Sequence, residues 1–290
     1  MEFQFRCLPC FLSQALDALE NADANGAVTE AVMKSALNKL ANFDQFSHPL
    51  AAGFEVHRIV RDQLGSSDPY QWHKQTSNEK ALELIPEIKQ RVVEGSNSLE
   101  VAVRTAIAGN IIDFGPRGEF DIEQTLERCL REEFAVKDFS AFEGKLSDAD
   151  SLLYFADNAG EIVFDGLLME TLFRQKQLDT ISLVVKGGPF LNDATVSDAL
   201  EVGLDDIDNL RLYEISNGEP ESGPDYTSGE VQSWIEEHDL VIAKGQANYE
   251  GLSQYRYPNL FFLLVVKCSV IGEIIGVPTG KMVLQEATQR

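Results

Sequence analysis

The 290-residue chain carries 24 basic and 47 acidic side chains, a formal net charge of −23, with 44% hydrophobic and 24% charged residues. That is the mix of an ordinary globular protein with enough apolar material for a substantial core, in one large domain or two smaller ones. Such acidity argues against general nucleic-acid binding, which needs clustered Lys and Arg, and against anionic membrane surfaces.

The first half reads as helices. Apolar residues recur at helical spacing over Phe11–Leu19 and again over Val28–Phe43, with Thr29 as the expected N-cap. A third helix is expected over Phe54–Leu64, stopped at Gly65 and followed by Ser66-Ser67-Asp68-Pro69. Ser77–Val93 predicts a fourth, bent or broken at Pro86. Ser98–Ile112 and Phe120–Phe134 predict two more, the first ended by Gly115-Pro116.

Near residue 145 the pattern changes to short apolar runs alternating with helical segments. Strands are expected at Leu152–Ala156, Thr180–Val185, Leu210–Ile215, Leu240–Ala243 and Leu260–Val266. Helices are expected at Glu161–Gln175 and from Ala194 to Val202. This alternation predicts a mostly parallel sheet covered by helices, an α/β fold. The division expected is a helical lobe over 1–145 and an α/β core over 146–290. The N-terminus shows no signal-peptide pattern, and the seven-residue run Leu260–Val266 is far short of a bilayer span, so a cytoplasmic protein is the expectation.

Polar signatures follow four of these strands: Asp157-Asn158, Lys186-Gly187-Gly188, Lys244 to Asn248, and Lys267. In an open parallel sheet the C-terminal strand ends share one edge, where ligands bind. Asp157, Asn158 and Asp193 offer hard oxygen donors suited to Mg²⁺ or Mn²⁺, with Co²⁺ or Ni²⁺ by availability. The competing reading is that Asp157 and Asp193 are turn residues or helix N-caps. Lys186, Lys244 and Lys267 at one edge would form a phosphate-binding patch, with Gly187, Gly188 and Gly245 admitting backbone N–H groups. Metal, oxygen ligands and lysines together describe phosphoryl-transfer chemistry.

Three segments carry a resemblance: Asp157-Asn158-Ala159-Gly160-Glu161 to Asp165, Lys186 to Thr195, and Lys244 to Leu252. Together with Asp68-Pro69-Tyr70, Lys74, Asn78, Ala108 to Asp113 and an N-terminal Cys7-x-x-Cys10, the chain resembles the damage-control phosphatase family in its stand-alone prokaryotic branch. The resemblance implies a three-layer α/β/α core with a mostly parallel, Rossmann-like sheet and an N-terminal helical bundle. It implies divalent-metal-dependent hydrolysis of a small phosphorylated metabolite, sugar phosphates included. Asp157, Asn158 and Asp193 would then hold the metal and carry catalysis. Lys186, Asn192, Lys244, Asn248, Lys267, Asn110 and Asp113 would bind substrate.

The expected mechanism is in-line attack by a metal-activated water. A phosphoaspartate route is disfavoured because Ala stands at 159, where a second Asp is needed. A non-hydrolytic nucleotide- or S-adenosylmethionine-binding protein is the alternative, although the turn at 157–160 lacks Gly-x-Gly-x-x-Gly. Cys7 and Cys10 supply only half a zinc site, and two buried cysteines at a helix start is the favoured reading. His48, His57, His73 and His238 form no metal-type pair, so surface or capping roles are expected.

Overall fold

The computed structural model describes residues 1, 3–46, 48–66, 68–95, 97–110, 122–216 and 224–288, with 122–126 as backbone. In chain order the helices are α1 (Cys7–Asn21), α2 (Gly26–Leu40), α3 (Pro49–Leu64), α4 (Gln71–Glu94), α5 (Ser98–Gly109), α6 (Ile122–Arg131), α7 (Phe139–Asp148), α8 (Glu161–Lys176), α9 (Val196–Glu201), α10 (Gly229–Glu237), α11 (Gly245–Leu252) and α12 (Ser269–Ile275). The strands are β1 (Val136–Lys137), β2 (Ser151–Phe155), β3 (Thr180–Lys186), β4 (Leu210–Ile215), β5 (Leu240–Lys244), β6 (Leu260–Val265) and β7 (Met282–Glu286).

The strands form one sheet in the order β1-β7-β6-β5-β2-β3-β4. Every neighbouring pair is parallel except β6 and β7. Alternate side chains of the central strands enter two different cores. Leu152, Tyr154, Leu240, Ile242, Phe261 and Leu263 pack with residues of α4, α5, α7 and α8. Leu153, Phe155, Val241, Ala243, Phe262 and Leu264 pack with residues of α10, α11 and α12. The period of two across a sheet buried on both faces therefore produces the three α/β/α layers. Each fully buried Leu or Phe contributes about 1.5–3 kcal/mol. Residues of α1, α2 and α3 close a third core around Ala15, Leu19, Val32, Ala36, Val56 and Val60.

Local corrections have local causes. Asn25, not Thr29, caps α2, its side chain accepting from the Ala27 and Val28 amides. Pro86 does not break α4, which runs unbroken over 24 residues. Ala81 on one side of it and Ile88 and Val92 on the other are buried in the same core, and that packing outweighs the missing N–H. Strands β1 and β7 were not expected. Two residues are too few to show periodicity, and Met282–Glu286 follows only the short helix α12 and runs antiparallel to β6, outside the parallel pattern.

The sheet order reverses between β2 and β5. From β2 the chain builds outward through β3 and β4, then crosses back to β5 and builds the other way through β6. The crevice at the C-terminal ends of β2 and β5 is the switch point where open α/β sheets bind ligands.

Candidate active site

Asp157 follows β2 and Asp193 lies in the loop after β3. The two segments are zipped by backbone bonds: the Ala159 amide donates to the Asn192 carbonyl (2.8 Å) and the Ala194 amide to the Asp157 carbonyl (2.9 Å). Asn158 and Asp193 form an isolated antiparallel bridge. Neither aspartate caps a helix. Gly160, at φ 75°, is the N-cap of α8, and Thr195 caps α9 in a capping box with Asp198. The reading of Asp157 and Asp193 as simple N-caps is thus set aside.

The loop from Lys186 to Asp193 is held from the helical side. Phe190 packs against Phe54 (ring centroids 4.1 Å apart) and His57 (4.8 Å), both on α3. Arg61 donates to the Pro189 carbonyl at 3.0 Å. His57 is buried, contrary to the surface or capping role expected of it, whereas His48 does cap α3. Leu191 sits at φ 49°, a left-handed conformation costing roughly 1 kcal/mol. From α4, Asn78 accepts the Gly160 amide (2.7 Å) and donates to Glu201 (3.0 Å). Lys74 pairs with Asp198 at 2.8 Å.

Asp157 and Asp193 are each 5% exposed and Asn110 is 6% exposed. The Asn110 amide nitrogen donates to Asp157 Oδ2 (2.9 Å) and Glu161 Oε2 (2.7 Å). The Asn158 amide nitrogen donates to the same two oxygens, at 2.8 and 3.0 Å. Among the described residues, Asn110 Oδ1 and Asp193 Oδ2 are buried without a hydrogen-bond partner. Burial pushes the Asp193 carboxyl up to about 7, with Lys186 opposing and Asp157 adding to the rise. Burial and then Glu161 raise the Asp157 carboxyl, against Lys186 and Lys267.

The three lysines separate into different roles. Lys186 is buried, and its ammonium donates to Asn248 Oδ1 (3.0 Å) and the Tyr226 hydroxyl (3.2 Å). Burial pulls its pKa down, but Tyr226, Asp193 and Asp157 outweigh that and hold it above the ordinary lysine value. Lys244 is 0% exposed and bonds Glu161 Oε1 (2.6 Å), Asp165 Oδ1 (2.7 Å) and the Ala106 carbonyl (2.8 Å). It has no surface to offer a phosphate, so the expected substrate contact is corrected to a buried ion-pair role. Lys267 is exposed, yet near enough for its charge to act on Asp157 and Glu161.

Asn248 is likewise spent within the protein, donating to the Lys244 and Ala156 carbonyls and accepting from Lys186 and Tyr226. The Gly187 amide, expected to meet a phosphate, donates to the Ile215 carbonyl at 3.0 Å. Glycine is needed there because a Cβ would stand 2.7 Å from Ser216 Cβ. Asn192 is exposed beside Asp193, and Asp113 lies outside the described residues. A groove of about 620 Å³ opens beside Lys186, lined also by Gln71, Lys74, Gly188, Thr195 and Ser197.

Sequence reasoning missed Glu161 and Tyr226 as parts of this centre. Glu161 carried a signal, lying three residues after Asn158 at a helix start; Tyr226 carried none. Cys7 and Cys10 do begin α1, but Cys10 is exposed and Cys7 only half-buried, which corrects the expectation of two buried thiols. Among the described residues, no three of His, Cys, Asp and Glu are gathered as metal ligands. Two buried oxygens, the Asn110 amide oxygen and Asp193 carboxylate Oδ2, have no hydrogen-bond partner among the described residues, and oxygens of both kinds are of the type that hard cations take.

The sequence profile of the damage-control phosphatase ARMT1-like domain matches residues 4–283. The chain belongs to that family. It is 31% identical over 287 residues to damage-control phosphatase PH1575 of Pyrococcus horikoshii, covering 98% of this chain and 97% of that one. It is 34% identical to a damage-control phosphatase of Archaeoglobus fulgidus, covering 96% of each. An uncharacterized protein of Methanocaldococcus jannaschii, MJ0202, is 32% identical, covering 96% of this chain and 93% of that one. A crystal structure of a DUF89 family protein from P. horikoshii superposes with a TM-score of 0.87 at 30% identity, covering 99% of both chains. As a damage-control phosphatase family member, the chain is supported as a phosphatase. Among the described residues, no helix is long and apolar enough to cross a membrane.

Proposed function

We propose that the chain is a divalent-cation-dependent phosphatase acting on a small phosphorylated metabolite, a sugar phosphate or related phosphomonoester. One observation carries the reading. Two buried oxygens without partners among the described residues, Asn110 Oδ1 and Asp193 Oδ2, share the switch-point crevice with a buried ammonium, Lys186, whose charge acts on both aspartates. Buried polar atoms left unpaired are costly, and an oxygen-binding cation offsets that cost.

Asp157, Asn158 and Asp193 would hold Mg²⁺, Mn²⁺, Co²⁺ or Ni²⁺. Such an ion, when bound, neutralises phosphoryl oxygens and acidifies water. The remaining work falls to the protein. Lys186 keeps its charge in a dry site, fixed by Asn248 and Tyr226, so it stabilises negative charge without reorganising. Lys267 at the rim adds a second positive charge. The N-terminus of α11 begins at Gly245, directly against the Asp157 carboxylate, and its partial positive charge favours anions there. The polar groove beside Lys186 suits the hydroxyl-rich body of a phosphorylated metabolite.

The test is phosphate release from a panel of phosphomonoesters by chelator-treated protein, with Mg²⁺, Mn²⁺, Co²⁺ and Ni²⁺ restored singly. Release restored by an ion and abolished in Asp157→Ala is the expected result. Release that persists after chelation, or is unchanged in Asp157→Ala, overturns the reading.

A further inference from the structure

Three carboxylates meet in this centre, and one of them has no place among the proposed ligands. Glu161 is 1% exposed, at the first turn of α8. Its two oxygens do different things. Oε1 accepts from Lys244 at 2.6 Å, an ion pair that fixes Glu161 as a carboxylate. Oε2 accepts from the amide nitrogens of Asn110 (2.7 Å) and Asn158 (3.0 Å). Those nitrogens also donate to Asp157 Oδ2, at 2.9 and 2.8 Å. Two carboxylate oxygens and two amide nitrogens thus alternate around a square.

An ionised carboxylate can only accept hydrogen bonds, so each amide must present its NH₂ to the square. The carbonyl oxygens are thereby turned away from it. For Asn110 that oxygen is buried and finds no partner among the described residues. Turned over, either amide would set oxygen against oxygen at Glu161 and Asp157, and would aim a donor where a cation needs an acceptor.

We infer that Glu161 is the positioning residue of the cation site: anchored by Lys244, it holds the amides of Asn110 and Asn158 nitrogen-inward and so reserves their carbonyl oxygens for the cation. The inference rests on the cation reading above and adds Asn110 to the oxygens facing the ion. It separates Glu161 from Asp165, which shares the same lysine at 2.7 Å but otherwise receives the Tyr154 hydroxyl and touches neither amide.

In Glu161→Gln the charge of Lys244 claims the new carbonyl oxygen, which leaves the new NH₂ facing the two amide nitrogens. One or both amides must then turn over. Direct Mn²⁺ binding, followed by calorimetry and by the electron paramagnetic resonance signal of free Mn²⁺, reads this without any turnover assay. We expect E161Q to bind Mn²⁺ about 10–100-fold more weakly than wild type, the usual scale for outer-sphere positioning groups. Asp165→Asn, checked for a folded circular-dichroism spectrum beside E161Q, should keep wild-type affinity. Should E161Q not fold, Glu161→Asp replaces it, keeping the charge but falling one methylene short of the amides, with weakened binding again expected. Wild-type affinity in the folded Glu161 variant, or equal loss in D165N, overturns the inference and leaves the cation reading standing. No Mn²⁺ binding by wild-type protein removes the cation reading itself, and this inference with it.

Discussion

Gly245 lies against Asp157 so closely that a Cβ at 245 would stand 1.8 Å from Asp157 Oδ2. The two residues follow β5 and β2, neighbours across the switch point of the sheet. Gly245 is also in the left-handed region, at φ +73°. Gly245→Ala should therefore displace the carboxylate as well as strain the backbone. A shift near 1 Å at a reacting centre costs about 100-fold in kcat/KM. Gly65, at φ +63° with nothing within 4 Å, is the control. Gly65→Ala should lose roughly 1 kcal/mol of stability and no activity. Phosphatase kinetics and urea unfolding on both variants check the pair.

Lys244 neutralises two buried carboxylates at once. Lys244→Met leaves Glu161 and Asp165 without a cation. Removing one side of a buried ion pair costs about 3–5 kcal/mol, so the variant should unfold at much lower urea or fail to accumulate. A near-normal unfolding midpoint with a raised KM for the phosphoester would instead return Lys244 to direct substrate contact.

Lys186→Met removes the ammonium that faces both aspartates. The expected loss is in kcat, about 10²–10³-fold, because the charge matters most when phosphoryl oxygens develop charge. Tyr226→Phe removes only one of the groups that fix Lys186 and should cost far less. Separate kcat and KM values decide, and a change confined to KM would contradict the role.

Burial pushes the Glu250 carboxyl up to about 7, with the Gln246 bond pulling the other way. In the unfolded chain an ordinary Glu titrates near 4.3. Between those values the folded protein holds a proton that the unfolded chain has lost, so stability falls as pH rises through that window. Glu250→Gln has no proton to lose. Its advantage over wild type should grow between pH 5 and pH 8 by on the order of 1–3 kcal/mol. Urea unfolding at both pH values measures this, and a difference independent of pH refutes it.

Much of the core was readable. Apolar runs of four to seven residues set out β2 to β6, and the strand ends carrying Asp157, Lys186 and Gly245 do converge at one edge. The place of these turns was legible because each polar residue stands directly after its strand. What each side chain does there was less so. Lys186, Lys244 and Lys267 look alike in sequence, yet one is buried beside Asp193, one is consumed by two carboxylates and one is exposed.

The sequence by itself determined the run of helices up to about residue 110, the alternating strands and helices from residue 151 and the oxygen-rich, lysine-bearing turns, because periodicity and turn chemistry are local properties. Only the tertiary structure decided that Asn110 crosses from α5 to Asp157, that Tyr226 fixes Lys186, and that Glu161 belongs to the centre. Those contacts join residues 40 to 51 positions apart, or link one helix turn to a strand end 83 positions on. Burial then sets which of the charges are paired, and burial is a property of the packed chain alone.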